Sequence, residues 1–114
     1  MLRKYKNLVY GISTRKFGDC RINQEIFLKT LGLKKESLVL AEQVHGNKIK
    51  VVGEADKEKT ISGVDGLISD TPGVILGVRT ADCLPILFYE PEAKIIGACH
   101  AGWKGILSSI PQKM

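Results

Sequence analysis

The clearest helical pattern in the first third of the chain covers residues 24–31. Asn23 is a preferred N-cap residue, and Gly32 is placed as a C-terminal stop. The apolar side chains of Ile22 and Phe27 have the spacing of a hydrophobic staple, which fixes the direction of the chain where it enters a helix. Together these signals predict a helix over 24–31.

Short apolar runs rich in β-branched residues recur along the chain, and turn residues separate them. Seven such runs lie at residues 8–13, 38–41, 48–52, 66–69, 74–80, 86–89 and 94–99. Together they predict about six strands. Residues 53–63 are polar and charged, and this composition predicts a loop.

The character of neighbouring runs suggests how these strands pair. We expect 48–52 to lie beside 38–41. The run 74–80 is polar only at its end, so it is expected to be buried on both faces of a sheet. The runs 86–89 and 94–99 are close enough in sequence to form a hairpin.

Helical spacing returns after Gly102 and ends at Pro111. One helix, about six strands and the start of a second helix predict an α/β or α+β fold, a layered mixed β-sheet with flanking helices. A chain of 114 residues suits one domain over 1–114. Because the second helix stops while much apolar sheet surface needs cover, we expect the N-terminal part of a longer domain.

The composition indicates a reduced, cytoplasmic protein. The chain is 44% hydrophobic and 25% charged, which is ordinary for a globular protein. Its three cysteines form no C-x-x-C pair and no disulfide framework. No apolar run is long enough for a signal peptide or a membrane span.

The formal charge of +5 is unevenly distributed. Residues 1–50 carry +7, whereas residues 51–114 carry −2. A basic half could bind nucleic acid or a phosphorylated small molecule. These lysines lack the interleaved aromatic residues of a nucleic-acid surface, so the charge pattern favours a solvated face over a nucleic-acid site.

Scarce metal-binding residues lie beside the ends of apolar runs. His45 and His100 are the only two histidines, and Cys83 is one of three cysteines. Three His/Cys ligands with an open fourth position have the composition of a catalytic zinc site. The intervals of 38 and 17 residues between them differ from those of a zinc finger, so two satisfied histidines and a core cysteine remain the alternative.

Copper fits these residues less well than zinc. A blue-copper site uses two His, one Cys and a weak axial Met, and the two methionines are the terminal residues Met1 and Met114. Without a metal, Cys83 could pair with His45 or His100 as a nucleophile and its base. The residues alone leave both chemistries open.

Strand alternation separates Cys99 from His100. Successive side chains of a strand point to opposite faces, so these two neighbours are not expected to face one site. Ile96, Ala98 and His100 share one face. We therefore expect Cys99 to be a small buried apolar residue.

Four motifs in order resemble one bacterial family. They are Gln43-Val-His-Gly46, Asp65-Gly66, Thr80-Ala-Asp-Cys-Leu-Pro85 and His100-Ala-Gly-Trp-Lys-Gly105. This combination resembles the YfiH/YlmD-like family, first named laccase-domain or multicopper polyphenol oxidoreductase, over residues 9–110. The resemblance implies a YfiH-like, cysteine-hydrolase-type fold, incomplete in this chain. It also implies a zinc-dependent purine nucleoside phosphorylase that accepts adenosine, inosine and methylthioadenosine and deaminates adenosine.

The resemblance also implies roles for individual residues. The family's zinc ligands fall on His45, Cys83 and His100. Inorganic phosphate would be a co-substrate, and Asp82 and Cys83 are the candidate catalytic residues. The candidate substrate-binding residues are Arg15, Gln43 and Lys104.

Two features depart from the family pattern. The segment after Arg15 is short, since Lys16-Phe-Gly-Asp19 leads almost directly to the predicted helix. The part of the family domain that follows Trp103 is absent, which predicts a homo-oligomer or a missing C-terminal half. The alternative functions are a Cys–His thiol hydrolase of the same fold, and an inactive fragment or basic binding module. Neither a membrane nor a nucleic acid is expected as a partner.

Overall fold

The computed structural model describes residues 8–13, 18–80 and 84–101, with the backbone alone at residues 20 and 21. The chain forms two compact units, residues 1–35 and 36–114. No helix within the described residues is both long and apolar enough to span a lipid bilayer.

The first unit contains the helix α1, Cys20–Thr30. It begins earlier than predicted, because the Asp19 carbonyl accepts the N–H groups of Ile22 and Asn23 at 3.0 and 2.9 Å. Asn23 therefore lies inside the first turn, and Asp19, also a residue type preferred at N-caps, precedes the helix. The predicted staple is wrong, since Ile22 is within the helix and 80% exposed.

The helix α1 ends at Thr30, and Gly32 terminates it, as predicted. Leu33 N–H donates to the Leu28 carbonyl at 2.9 Å, and Gly32 N–H donates to the Lys29 carbonyl at 3.1 Å. This pair of bonds is a Schellman motif. Gly32 has φ +71, a left-handed conformation that glycine adopts without steric cost.

The strand predicted over 8–13 is wrong. These residues form no regular secondary structure, and Val9 and Ile12 are 56% and 62% exposed. A Cβ atom added to Gly11 would lie 3.0 Å from Leu31 Cδ1. The segment thus packs against the end of the helix, and none of the described strands lies beside it to share a hydrogen-bond ladder.

The second unit contains seven described strands in two sheets. The strands are β1 Leu38–Glu42, β2 Ile49–Val51, β3 Thr60–Ser62, β4 Gly66–Ser69, β5 Ile75–Gly77, β6 Leu84–Glu90 and β7 Ile95–Ala101. Two short 3₁₀ segments, Lys35–Ser37 and Glu54–Asp56, precede β1 and β3. One sheet has the order β3-β1-β5, and the other has the order β2-β4-β7-β6.

Both sheets are built on a central strand with a nonlocal partner. In the first sheet β1 pairs in parallel with β3 and with β5. In the second sheet β4 pairs in parallel with β2 and antiparallel with β7. The β6–β7 hairpin is antiparallel, with Pro85 opposite His100. The mixed α/β architecture is confirmed, and the hairpin prediction is also confirmed.

The main core joins the two sheets. Val39 and Ala41 project from β1 and pack in one buried cluster with Leu67 of β4. Leu67 is paired with Ala98 of β7, so His100, two residues further along β7, projects from the same face as Ala98. The core therefore places His100 at the end of the layer between the sheets.

Three predictions for these strands are wrong. The predicted loop contains β3, a three-residue strand that pairs with β1. The strand β2 lies beside β4, not beside β1. The strand β5 is not the doubly buried strand predicted over 74–80. It has only three residues, because its pairing with β1 ends at Gly77, and all three are half-buried. The second predicted helix, after Gly102, lies outside the described residues.

Candidate functional site

A buried carboxylate organises the candidate site. Asp65 directly precedes β4, and its side chain is 0% exposed. Its Oδ1 accepts the backbone N–H groups of Val44 and Gly46, each at 3.0 Å, and its Oδ2 accepts that of His45 at 3.1 Å. One side chain thus binds three successive peptide groups of the turn that follows β1.

This turn has an unusual backbone conformation at its centre. His45 has φ 58, in the left-handed region, where histidine is more frequent than most other non-glycine residues. A left-handed residue within a short turn allows successive N–H groups to converge, which forms an anion-binding nest. In this chain the anion in the nest is the carboxylate of Asp65, and the His45 side chain is exposed.

The second histidine is held by the same carboxylate. His100 lies in β7, is 3% exposed, and has its Nδ1 atom 2.9 Å from Asp65 Oδ2. Its backbone N–H also donates to the Asp65 carbonyl at 2.7 Å. With Nδ1 occupied by the carboxylate, Nε2 is the ring atom that remains for a metal or a substrate.

The two imidazoles lie against each other. The ring centroids of His45 and His100 are 5.0 Å apart, and the ring planes are inclined at 79°. Two imidazoles that share one tetrahedral ion, with metal–nitrogen bonds of about 2.0–2.1 Å, place their centroids roughly 5 Å apart. The centroid distance is thus compatible with a shared ion and equally with a direct edge-to-face contact between the two rings.

The third expected ligand, Cys83, lies outside the described residues. Within residues 8–13, 18–80 and 84–101, no three His, Cys, Asp or Glu side chains are close enough together to hold a metal ion. The described part of the chain thus contains two of the three residues that were expected to bind the metal.

The electrostatics of the site favour an ionised Asp65. Burial by itself raises the pKa of this carboxyl group, but the hydrogen bonds from Gly46, Val44 and His100 and the charge of His100 outweigh it. The net result is a pKa of Asp65 below its ordinary value. The carboxylate is therefore a permanent hydrogen-bond acceptor at neutral pH.

Cys99 is turned away from the site, as predicted. Its side chain is 0% exposed and packs in a second apolar cluster with Ala101, Ile86 and Phe88. Burial, followed by the charge of Asp65, raises the pKa of the Cys99 thiol. This cysteine is an apolar core residue.

Gln43 connects β1 to the segment that contains Cys83. Its side-chain Oε1 accepts the backbone N–H of Arg79 at 3.2 Å, and its Nε2 donates to the Arg79 carbonyl. The pairing between β1 and β5 ends at Gly77. Two residues later, at Arg79, the Gln43 amide makes the backbone hydrogen bonds that a neighbouring strand would otherwise make. It holds the backbone immediately before Thr80.

The structure brings together two of the predicted site residues and leaves others undescribed. The rings of His45 and His100 lie against each other, and Gln43, two residues before His45, hydrogen-bonds the backbone of Arg79. The remaining candidates lie outside the described residues: Arg15, Asp82, Cys83 and Lys104. Sequence reasoning assigned no role to Asp65, although a lone carboxylate within the apolar run 64–68 indicates a buried charge that needs hydrogen-bond partners.

The fold and the site define a two-sheet α/β protein with two histidines arranged around a buried carboxylate. Residues 7–114 match the family described as "Multi-copper polyphenol oxidoreductase laccase". The match extends over most of the chain, and the chain belongs to this family.

Curated relatives of this chain are nucleoside enzymes. Adenosine deaminase RL5, from an unknown prokaryotic organism, is 34% identical over 70% of this chain and 33% of its own length. A purine nucleoside phosphorylase of Deinococcus radiodurans is 42% identical over 80% of this chain and 34% of its own length. The chain thus spans about a third of the length of these relatives.

A solved structure confirms the fold. The crystal structure of YlmD from Geobacillus stearothermophilus superposes with a TM-score of 0.77 and 36% sequence identity. The match covers 86% of this chain and 40% of that one. The YfiH-like fold that the sequence resemblance implied is therefore confirmed for this part of the domain.

Proposed function

We propose that this chain carries the metal-binding part of a zinc-dependent purine nucleoside phosphorylase that also deaminates adenosine. The observation that carries the proposal is the His45–His100 pair on Asp65. This pair occurs in a chain whose curated relatives are named as a purine nucleoside phosphorylase and an adenosine deaminase. Adenosine, inosine and methylthioadenosine are the proposed substrates, with inorganic phosphate as co-substrate.

Zinc fits the donor set better than copper does. His45, His100 and Cys83 would hold the ion, which leaves a fourth position open. The chain has two histidines, too few for a multicopper cluster and consistent with one His₂Cys zinc site. When bound, zinc supplies Lewis acidity and lowers the pKa of a coordinated water.

The protein residues would orient the substrates and transfer protons. Phosphorolysis and deamination both require a proton on a leaving nitrogen, and Asp82 is the proposed donor. Arg15 would bind phosphate through its planar guanidinium group, and Lys104 would add a second positive charge. Gln43 would position the Cys83 segment, since a direct contact with substrate would require its amide to leave Arg79.

A second function is favoured by one specific contact. Asp65 and His100 are arranged like the acid and base of a nucleophilic triad, with the carboxylate on Nδ1 and Nε2 directed elsewhere. If Cys83 lies at Nε2, the three residues form a Cys–His–Asp set for thiol hydrolysis. This alternative uses the same two described residues and needs no metal.

We also propose a cytoplasmic location, where cysteine thiols remain reduced, because the three cysteines form no C-x-x-C pair. Because the chain spans about a third of its curated relatives, we propose that a second copy or the remaining part of the domain completes the nucleoside pocket.

Metal content and product analysis test this function. We expect the purified chain to bind about one zinc. Once a second copy or the remaining part of the domain completes the pocket, we expect adenosine with phosphate to yield adenine and inosine on chromatography. His100→Asn keeps an N–H donor for Asp65 but removes the Nε2 ligand, so we expect it to fold normally and lose zinc and both products.

The same experiment separates the two functions. Less than half an equivalent of zinc, with no further loss in Cys83→Ser, would contradict the zinc site. Activity that survives chelation but is lost on thiol alkylation would establish the thiol hydrolase instead. Neither activity, with salt-dependent binding to nucleic acid, would establish the basic binding module.

A further inference from the structure

We propose that Asp65 is the positioning residue of the site: it fixes His100 in the tautomer that exposes Nε2, and it holds the turn that carries His45. The ligand of the two imidazoles rests on the proposed function above. The tautomer and the turn rest only on the contacts of Asp65 itself.

The donors around the carboxylate determine which nitrogen of His100 carries the proton. Three backbone N–H groups and one ring nitrogen converge on its two oxygens: Oδ1 accepts from Val44 and Gly46, and Oδ2 accepts from His45 and faces His100 Nδ1. An ionised carboxylate has no hydrogen to donate. His100 Nδ1 must therefore carry the proton, and in the neutral ring Nε2 then carries a lone pair.

Asp65 also holds the turn of residues 44–46. Without the carboxylate, three successive part-buried N–H groups would lose their acceptor, and a polar group removed from water without a partner is unfavourable. The left-handed conformation of His45, with φ 58, is itself unfavourable for a residue with a side chain. The same carboxylate thus maintains the turn and the tautomer, although His45 and His100 lie far apart in sequence.

The tautomer of His100 determines which of its ring nitrogens can bind a metal. A histidine ligand binds a metal through the ring nitrogen that has no proton, and a carboxylate on the other nitrogen selects this form. Removal of such a partner weakens metal binding by about 10–100-fold. Since Asp65 also positions the second imidazole, we expect its loss to affect both nitrogen ligands at once.

The experiment measures the tautomer directly in metal-free protein. Two-bond ¹H–¹⁵N NMR spectra of the labelled chain report which ring nitrogen of each histidine is protonated. For His100 we expect a proton on Nδ1 and none on Nε2 at a pH where the ring is neutral. In Asp65→Asn the amide NH₂ group can face Nδ1, and the proton is expected to move to Nε2.

The second readout is zinc affinity, measured by competition with a chromophoric chelator. We expect Asp65→Asn to bind zinc about 10–100-fold more weakly than the unmodified chain. Asp56→Asn is the matched control, because Asp56 also accepts a backbone N–H group, that of Gly53 at 2.9 Å. We expect this control to change neither the tautomer nor the zinc affinity.

Each outcome decides between the alternatives. A proton on Nε2 of His100 in the unmodified chain would overturn the proposal, even if Asp65→Asn fails to fold. An Asp65→Asn variant that keeps Nδ1 protonated and binds zinc as tightly as the control would also overturn it. If the unmodified chain shows the expected tautomer but binds no zinc, the positioning role stands and the proposed function fails.

Discussion

Cys99 and His100 are adjacent in β7 but lie in opposite chemical environments. Cys99 faces an apolar cluster with Ile86, whereas the His100 ring is held by the carboxylate of Asp65. The backbone of both residues belongs to the same strand, so only side-chain alternation separates them. A thiol and an imidazole that are neighbours in sequence therefore have unrelated roles.

This separation predicts that Cys99 is chemically inert in the folded protein. Its side chain is 0% exposed, and burial raises its pKa, so little of the reactive thiolate is present at neutral pH. We expect iodoacetamide to modify Cys99 in denaturant but not in buffer, as measured by peptide mass spectrometry. Equal modification under both conditions would show that the thiol is accessible and that the strand is not packed as described.

Alternation and residue scarcity were sufficient to predict these two environments from sequence. The pairing of His45 with His100 was predicted as a hypothesis because the chain contains two histidines. The role of Asp65 was not predictable in the same way, because it depends on a contact across 35 residues. A local pattern marks a carboxylate as buried but does not identify the groups that it binds.

At the scale of elements, β1 and β5 pack closely because β5 ends in a glycine. A Cβ atom at Gly77 would lie 2.8 Å from Leu40 Cδ2 and 3.1 Å from Leu38 Cδ1. Both leucines belong to β1, where Leu40 is the partner of Gly77 and Leu38 is the partner of Ile75. The absence of a side chain at this position allows β5 to lead into Arg79, where Gln43 binds the backbone.

We expect Gly77→Ala to destabilise the protein. An added methyl group must displace a leucine of β1, and overpacking of this kind costs about 1–3 kcal/mol. Gly53→Ala is the control, because its Cβ would lie 3.4 Å from Thr71 Oγ1, an ordinary contact. Urea unfolding followed by circular dichroism measures the free energy of unfolding, and equal values for the two variants would contradict the close packing at Gly77.

Local signals predicted some elements well and their partners poorly. The end of α1 at Gly32 depends on a turn within a few residues, and it was predicted correctly. The strand β3 is three residues long, and it forms because β1 offers a parallel edge to it. Tertiary contacts determine this pairing, and they also determine the position of β2 beside β4. A local sequence pattern therefore does not predict either one. The expectation of a single domain over 1–114 stays a prediction.

At the scale of the whole molecule, the described surface has apolar side chains at the edges of the second sheet. Val51 of β2 is 68% exposed, and Leu84 and Leu87 of β6 are 56% and 41% exposed. Among the described residues, β6 pairs with β7 on one side and with no strand on the other. An unpaired strand edge with exposed leucines is a surface that readily binds another polypeptide.

We therefore expect the isolated chain to self-associate through β6. Sedimentation velocity should show a sedimentation coefficient that rises with protein concentration, and Leu87→Lys should reduce this rise, because an edge lysine opposes pairing between strands. Glu92→Gln changes the net charge by the same amount in the neighbouring turn, so it separates the loss of apolar contact from the change in charge. A monomer at every concentration would contradict the prediction. Equal effects of the two substitutions would show that charge, and not the leucine, controls association.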